Sequence, residues 1–333
     1  MPSVTVIIPS YNHAAFLPDC LNSIINQSFT DWQVILIDDG STDYSVEVAQ
    51  TFAQQDPRIQ VHINPKNLGT YGTQARALNL TESPYVAVMN SDDFWAPEKL
   101  SKQITQLENH PDIALSYVLG WLVQNATPDI TNDVHQSWPT SGVQNPLPFL
   151  VFENRILASG VLWRREFARF ETTCRYSGDW VALLEAACQA PFGCINERLT
   201  FWRQHETNSY RISPKQAAEE LRVRLAILNQ HQEILTHADQ PELIKRGLDQ
   251  NLINLTSLYA YFNQSKQARK VLLGNPNLIA NKPRAAKRLL GTFLGAELFR
   301  AHVLRDLQSD ATTDQLDSAF AAIEPLKLQI KKK

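Results

Sequence analysis

Two pairs of adjacent aspartates stand at Asp38-Asp39 and Asp92-Asp93, each just beyond a short apolar run, Val34–Ile37 and Tyr85–Met89. Neighbouring carboxylates repel, so each pair needs turn N–H donors, hydroxyl groups or a cation close by. Tyr11 stands beyond a third apolar run, Val4–Ile8, and Arg76 follows the loop beyond a fourth, Arg58–Ile63. This set of groups matches the parts of a nucleoside diphosphate. An aromatic ring can stack on the base. One carboxylate can accept the imide N–H of uracil or thymine, and another a ribose hydroxyl. A further carboxylate can hold a hard divalent ion against the phosphates. Each group also has a plainer role by itself. Asp-Asp-Gly-Ser suits a turn and a helix cap, and Asp92-Asp93 can cap the helix after Pro97. Tyr11 suits packing, and Arg76 suits a helix surface.

Their common placement favours the joint reading. The apolar runs alternate with helical patterns such as Leu17, Leu21, Ile24 and Ile25, or Leu100, Ile104 and Leu107. Such alternation implies right-handed βαβ units and a largely parallel sheet covered on both faces. Open α/β sheets bind ligands outside the carboxyl ends of their strands, and all four groups follow such ends. No GxGxxG follows the first strand, and no GxxxxGK[ST] occurs.

The chain of 333 residues has 31 Lys and Arg against 34 Asp and Glu, a net charge of −3, so nucleic acid is not an expected partner. Cys20, Cys174, Cys188 and Cys194 form no CxxC pair, which argues against structural zinc and for reduced thiols. No window approaches the roughly 18 apolar residues of a membrane helix, and the first residues lack the basic start of a signal peptide. These features fit a cytoplasmic protein. Residues 124–148 lose periodicity and read as a long loop. Strands are expected over Ile156–Arg164 and Phe192–Trp202, with a helix near Asp179–Gln189. Amphipathic helices then run from about residue 213 to Ala321. The boundary therefore falls near residue 212, with an α/β domain over 1–212 and a helical region over 213–333.

Val4–Asn12, Ile37–Asp43 (IDDGSTD), Asn67–Arg76 (NxGxxxxAR) and Ser91–Leu100 (SDDFWxPxKL) resemble, in order and spacing, the family 2 glycosyltransferases of the GT-A fold. The likeness covers residues 3 to about 110 and weakens towards 212. It implies a GT-A (nucleotide-diphospho-sugar transferase-like) sheet, a sugar-nucleotide donor, a Mg²⁺ or Mn²⁺ cofactor and inversion at the anomeric carbon. Carried across, it puts Pro9 and Tyr11 at the base, Asp39 at its imide edge and Arg76 near base or phosphate. Asp92 falls to the ribose and Asp93 to the metal, with Asn90 replacing the aspartate that often leads this motif. Asp38 is left to hold the turn.

In the second half, Ser177-Gly178-Asp179-Trp180 resembles the family segment whose acid at a helix start is the general base. That points to Asp179, with Glu185 in reserve; a capping role alone would also explain Asp179. Phe201–Ser209 resembles YRxHxxxxS, placing His205 at the metal or pyrophosphate and Arg203 beside the leaving group. Ser159-Gly160 falls on the acceptor side. The implied activity is metal-dependent, inverting transfer of one sugar from a UDP- or dTDP-linked donor. The acceptor is a hydroxyl on a glycan, a lipid-linked molecule or another compound. The C-terminal helices leave room for a homo-oligomer or another partner, and for peripheral membrane contact. A noncatalytic sugar-nucleotide sensor or scaffold is the alternative.

Overall fold

The structure is a computed structural model, and it describes residues 1–124, 127–129, 135, 138, 141–205, 214–237, 240–301 and 303. The chain divides into two compact units: residues 1–146 with 155–208, and residues 147–154 with 209–333.

Four strands open the first unit: β1 (Val4–Ser10), β2 (Trp32–Asp38), β3 (Ile59–Ile63) and β4 (Tyr85–Val88). They lie parallel in the order β3-β2-β1-β4. Every residue of β1 is buried, as expected for a strand covered on both faces. Val4, Val6 and Ile8 pack with Leu17, Leu21 and Ile24 of α1 (Leu17–Ile25). Thr5, of opposite pleat, meets Thr81 and Ser83 hydroxyls at 2.6 and 2.8 Å. Helices α2 (Ser45–Gln55), α3 (Gly69–Leu78) and α4 (Lys99–Asn109) complete this half. Ser10, Asp38 and Ile63 are register partners, so β1, β2 and β3 end level with one another.

The other half of the sheet departs from simple βαβ winding. After β5 (Phe94–Trp95), β6 (Leu115–Gln124), β7 (Thr127–Asp129) and β8 (Gly142–Gln144) come β9 (Val161–Arg164) and β10 (Phe192–Gln204). β9 lies antiparallel between β4 and β6, and β10 runs parallel to β6. β5, β7 and β8 are short antiparallel additions. The architecture is a mixed α/β sheet of the GT-A type, with a parallel half that carries the acid pairs. The expected loop over 124–148 holds β7 and β8, while most of 125–140 lies outside the described residues. Within the expected strand at 156–164, residues Ala158–Gly160 form a single 3₁₀ turn. α6 (Gly178–Ala187) follows.

In the second unit, α5 (Leu147–Leu150) joins α7 (Pro214–Gln230), α8 (Gln232–His237), α9 (Pro241–Tyr261), α10 (Ser265–Leu273), α11 (Pro276–Asn281) and α12 (Pro283–Gly291). Leu221, Leu255, Leu258 and Phe299 share one core, and Ile253, Leu272 and Leu278 another. Buried Arg288 donates its Nη1 to three acceptors on α9: Ile253 O, Thr256 Oγ1 and Ser257 Oγ, at 2.6, 3.0 and 2.8 Å. A buried cation requires such partners. Residues 304–333, part of the expected helical run to Ala321, lie outside the described residues.

Gly120 of β6 marks the tightest approach in the sheet. A Cβ there would sit 2.3 Å from Leu157 Cδ1 and 2.9 Å from Thr200 Cγ2. Gly120→Val is expected to destabilise the protein by about 1–3 kcal/mol through overpacking, seen as a lower thermal midpoint. An unchanged midpoint contradicts this packing.

Candidate active site

Many of the motif residues bind one another. Asp38 Oδ1 accepts the Gly40 and Ser41 amides at 3.1 and 2.9 Å, so Asp38 closes the turn. Asn12 has a left-handed φ of 54°, which asparagine tolerates. Its amide donates to Ser41 Oγ at 2.8 Å, and its Oδ1 accepts the Thr42 amide at 2.7 Å. Ala14 N donates to Asp43 Oδ2 at 3.1 Å. The loops after β1 and β2 are thereby stitched into one rim. Pro9 is buried in β1, whereas Tyr11 is 47 % exposed on that rim.

Asp39 is buried and accepts Asn64 Nδ2 and Leu68 N on Oδ1, both at 2.7 Å, and Gly69 N on Oδ2 at 2.8 Å. It therefore caps α3 from 30 residues away, supplying an acceptor and a negative charge where helix amides lack partners. This remote cap accounts for α3 beginning at Gly69. Arg76 donates to Ile63 O at 3.1 Å and to Asn64 Oδ1. Arg76, Asn64 and Asp39 thus form one chain of hydrogen bonds.

The second acid pair is split between two environments. Asp92 Oδ2 lies 3.0 Å from His205 Nε2. Candidate ligand atoms of His13, Asp92 and His205 all lie within 4.8 Å of one another. These residues come from the loops after β1 and β4 and from the end of β10. Phe16 packs against the His205 ring at a centroid distance of 4.5 Å. His13 Nδ1 is 2.7 Å from Ser91 Oγ, and with Nδ1–H donated there the other ring nitrogen keeps its lone pair. Burial lowers the His13 pKa, opposed by the nearby Asp92 charge, which favours the neutral form that ligates metals.

Asp93 turns inward instead. Its Oδ1 accepts Arg203 N at 3.0 Å, and its Oδ2 accepts Ser159 Oγ at 2.5 Å and Asn90 Nδ2 at 3.2 Å. Burial, followed by the Asp92 charge, pushes its pKa up to about 8. The sequence reading gave the cation to Asp93 and the ribose to Asp92. The geometry instead gathers Asp92 with the histidines and leaves Asp93 as an internal tie. Ser159, expected on the acceptor side, is buried beneath the pair. Arg203, expected beside the leaving group, spends its Nε on Asp92 O at 3.0 Å and its Nη2 on Asp19 Oδ2 at 2.8 Å. Glu206 to Ser209 of that segment lie outside the described residues. His13 was missed: one histidine in a loop carries no spacing signal, and only the fold brings it to Asp92.

Asp179 opens α6. Tyr71 OH, on the first turn of α3, reaches Asp179 Oδ1 at 3.0 Å and Tyr176 O at 3.2 Å. Gly178 makes room for this contact, since a Cβ there would lie 2.6 Å from the Tyr71 ring. Asp179 and Gln74 line a cleft whose walls include Val88, Trp163, Phe170 and Leu183. Glu185 lies six residues further along α6, with its Oε1 3.9 Å from Arg169 Nε.

Residues 5–136 match the family model for glycosyl transferase family 2. An uncharacterized glycosyltransferase of Haemophilus influenzae is 37 % identical over 111 residues, covering 33 % of this chain and 44 % of that protein. The chain thus spans less than half the length of this relative. Two solved structures share the fold. S. aureus TarS 1–349 in complex with UDP-GlcNAc has a TM-score of 0.62 and 17 % identity, covering 92 % of each chain. The mannosyltransferase PcManGT of Pyrobaculum calidifontis, in complex with GDP-Man and Mn²⁺, has a TM-score of 0.52 and 18 % identity, covering 98 % of this chain and 87 % of that one.

The split acid pair makes a direct prediction. In Mn²⁺ titrations followed by calorimetry, Asp92→Asn and His205→Ala each weaken binding by about tenfold or more. Asp93→Asn, which keeps the shape and one acceptor oxygen, is expected to weaken binding less than either of these. The reverse ranking of Asp92 and Asp93 contradicts the assignment.

Proposed function

We propose that this chain, whose residues 5–136 match the family model for glycosyl transferase family 2, is a metal-dependent, inverting enzyme. It moves one sugar from a UDP- or dTDP-linked donor to an acceptor hydroxyl. The observation that carries the reading is the convergence of His13, Asp92 and His205 at one point beside the strand-end rim. Residues 1–212 then serve as the catalytic part and 213–333 as an accessory helical region.

In this reading Tyr11 stacks on the base beside Pro9, and Asp39 accepts the imide N–H through a lone pair its protein donors leave over. Arg76 keeps Asn64, and so Asp39, in place. Two imidazoles with one carboxylate suit Mn²⁺ better than Mg²⁺, which prefers oxygen ligands. A divalent ion held by His13, Asp92 and His205 would offset charge on the leaving diphosphate. Asp93 fixes the direction of Asp92 through Ser159 and Arg203 N.

Asp179 is the general base. Its carboxylate takes the proton from the acceptor hydroxyl as that oxygen bonds to C1 from the face opposite the leaving group. The C1–O bond to the diphosphate breaks, and its electron pair leaves with the nucleoside diphosphate. Tyr71 positions the carboxylate through its 3.0 Å hydrogen bond. The acceptor hydroxyl belongs to a glycan, a lipid-linked molecule or a comparable compound.

The test is to screen UDP- and dTDP-sugars with Mn²⁺ and follow nucleotide release with an acceptor. Asp179→Asn is expected to keep donor binding and lower turnover by about 10²–10⁴-fold. Full turnover by Asp179→Asn overturns the base assignment. Binding of donors without hydrolysis or transfer, across donors and acceptors, supports a sensor instead. Tyr71→Phe is expected to lower kcat with little change in donor KM, the mark of a positioning residue. A changed KM with constant kcat contradicts that role.

A further inference from the structure

Residues 264–300, which include α10 to α12, differ in charge from the rest of the chain. They hold eight basic residues against the single acid Glu297, a local charge of +7 in a protein of net −3. Lys266, Lys270 and Lys287 are exposed, and Arg269, Lys282, Arg284 and Arg300 are half-buried. Arg288 is turned inward onto α9, Arg300 stacks over the Tyr261 ring at 5.1 Å, and Lys282 Nζ lies 3.9 Å from Asp249 Oδ2.

The same stretch carries a group of exposed large apolar side chains. Leu290, Phe293, Leu294 and Leu298 are 69, 62, 68 and 63 % exposed. They occupy one corner, where α12 ends and the chain turns into the helical residues from 296. The corner is held in shape. Arg269 Nε donates to Thr292 Oγ1 at 3.1 Å, its Nη2 donates to Thr292 O, and its guanidinium stacks 3.8 Å over the Phe293 ring. Gly291 and Thr292 are buried beneath it.

We propose that this basic, apolar-tipped corner docks on an anionic lipid bilayer. Leu290, Phe293, Leu294 and Leu298 enter the headgroup–acyl boundary, and the surrounding lysines and arginines meet lipid phosphates. Apolar tips flanked by lysine and arginine are the chemistry of interfacial helices. Each basic side chain near a negative leaflet adds to the attraction. Two copies meeting through this face would bring like charges together, which disfavours self-association. A phosphate backbone could meet the basic side chains but would leave the four exposed apolar side chains in water, which disfavours nucleic acid.

The test uses the full chain with vesicles of phosphatidylcholine alone or mixed with phosphatidylglycerol, in a flotation assay. The protein is expected to float with the anionic vesicles, to stay behind with the neutral ones, and to be released by high salt. The triple change Lys266→Glu, Lys270→Glu, Lys287→Glu is expected to reduce partition by about tenfold or more. The pair Phe293→Ser, Leu294→Ser tests the apolar part and is expected to reduce partition comparably. These side chains are exposed, and an unchanged circular dichroism spectrum and thermal midpoint of the full chain in both variants report an intact fold. No partition onto anionic vesicles, or partition indifferent to both variants, overturns the proposal. So does a dimer, seen by light scattering, that Phe293→Ser, Leu294→Ser dissolves. The readout needs no sugar donor, so its failure is separate from any failure of the glycosyl-transfer reading.

Discussion

The inward turn of Asp93 governs the rest of the site. Its carboxylate receives donors from three places in the chain: Asn90 beside it, Ser159 in the 3₁₀ turn before β9, and the backbone of Arg203 in β10. A buried carboxylate so placed costs desolvation, which the raised pKa of about 8 expresses. Its hydrogen bonds offset that cost and fix the loop after β4 against β9 and β10. Two consequences follow. Asp92, the residue before it, is left to meet the imidazoles, and His205, two residues beyond Arg203, is brought to it. Truncating Asp93 outright would leave Ser159 Oγ and Arg203 N without this acceptor, a larger loss than the charge alone.

The nucleotide end is organised by the same economy of buried carboxylates. Asp39 closes the start of α3, and the first turn of α3 carries Tyr71, which reaches Asp179. A single short helix thus connects the group proposed to read the base with the group proposed to take the proton. A donor that pulls on Asp39 acts on the helix that positions Asp179. The level ends of β1, β2 and β3 supply the frame for this arrangement, because register places the residues after each strand side by side.

Much of this was legible in the sequence, for local reasons. Apolar runs separated by helical spacing identified the parallel half of the sheet. Asp-Gly-Ser chemistry identified the turn at Asp38. The legibility failed where long-range packing decides. Both members of Asp92-Asp93 have the same local sequence signals, and only the donors at Ser159 and Arg203 tell them apart. His13 has no motif of its own. β9 enters the sheet antiparallel between β4 and β6, which alternation of strand and helix cannot reveal. The start of α3 rests on a cap from Asp39, just beyond the end of β2 and outside any local window. The corner at Leu290–Leu298 reads as ordinary amphipathic helix until burial shows which side chains lack a core.

The central claim is that the second acid pair divides its labour, with Asp92 and the two histidines facing an ion and Asp93 behind them. Anomalous scattering from Mn²⁺ in crystals grown with UDP tests it most directly. The account predicts a single peak within bonding distance of His13, Asp92 and His205, with Asp93 still bound to Ser159 and Arg203 N. A peak ligated by Asp93, or one that touches neither histidine, would contradict it.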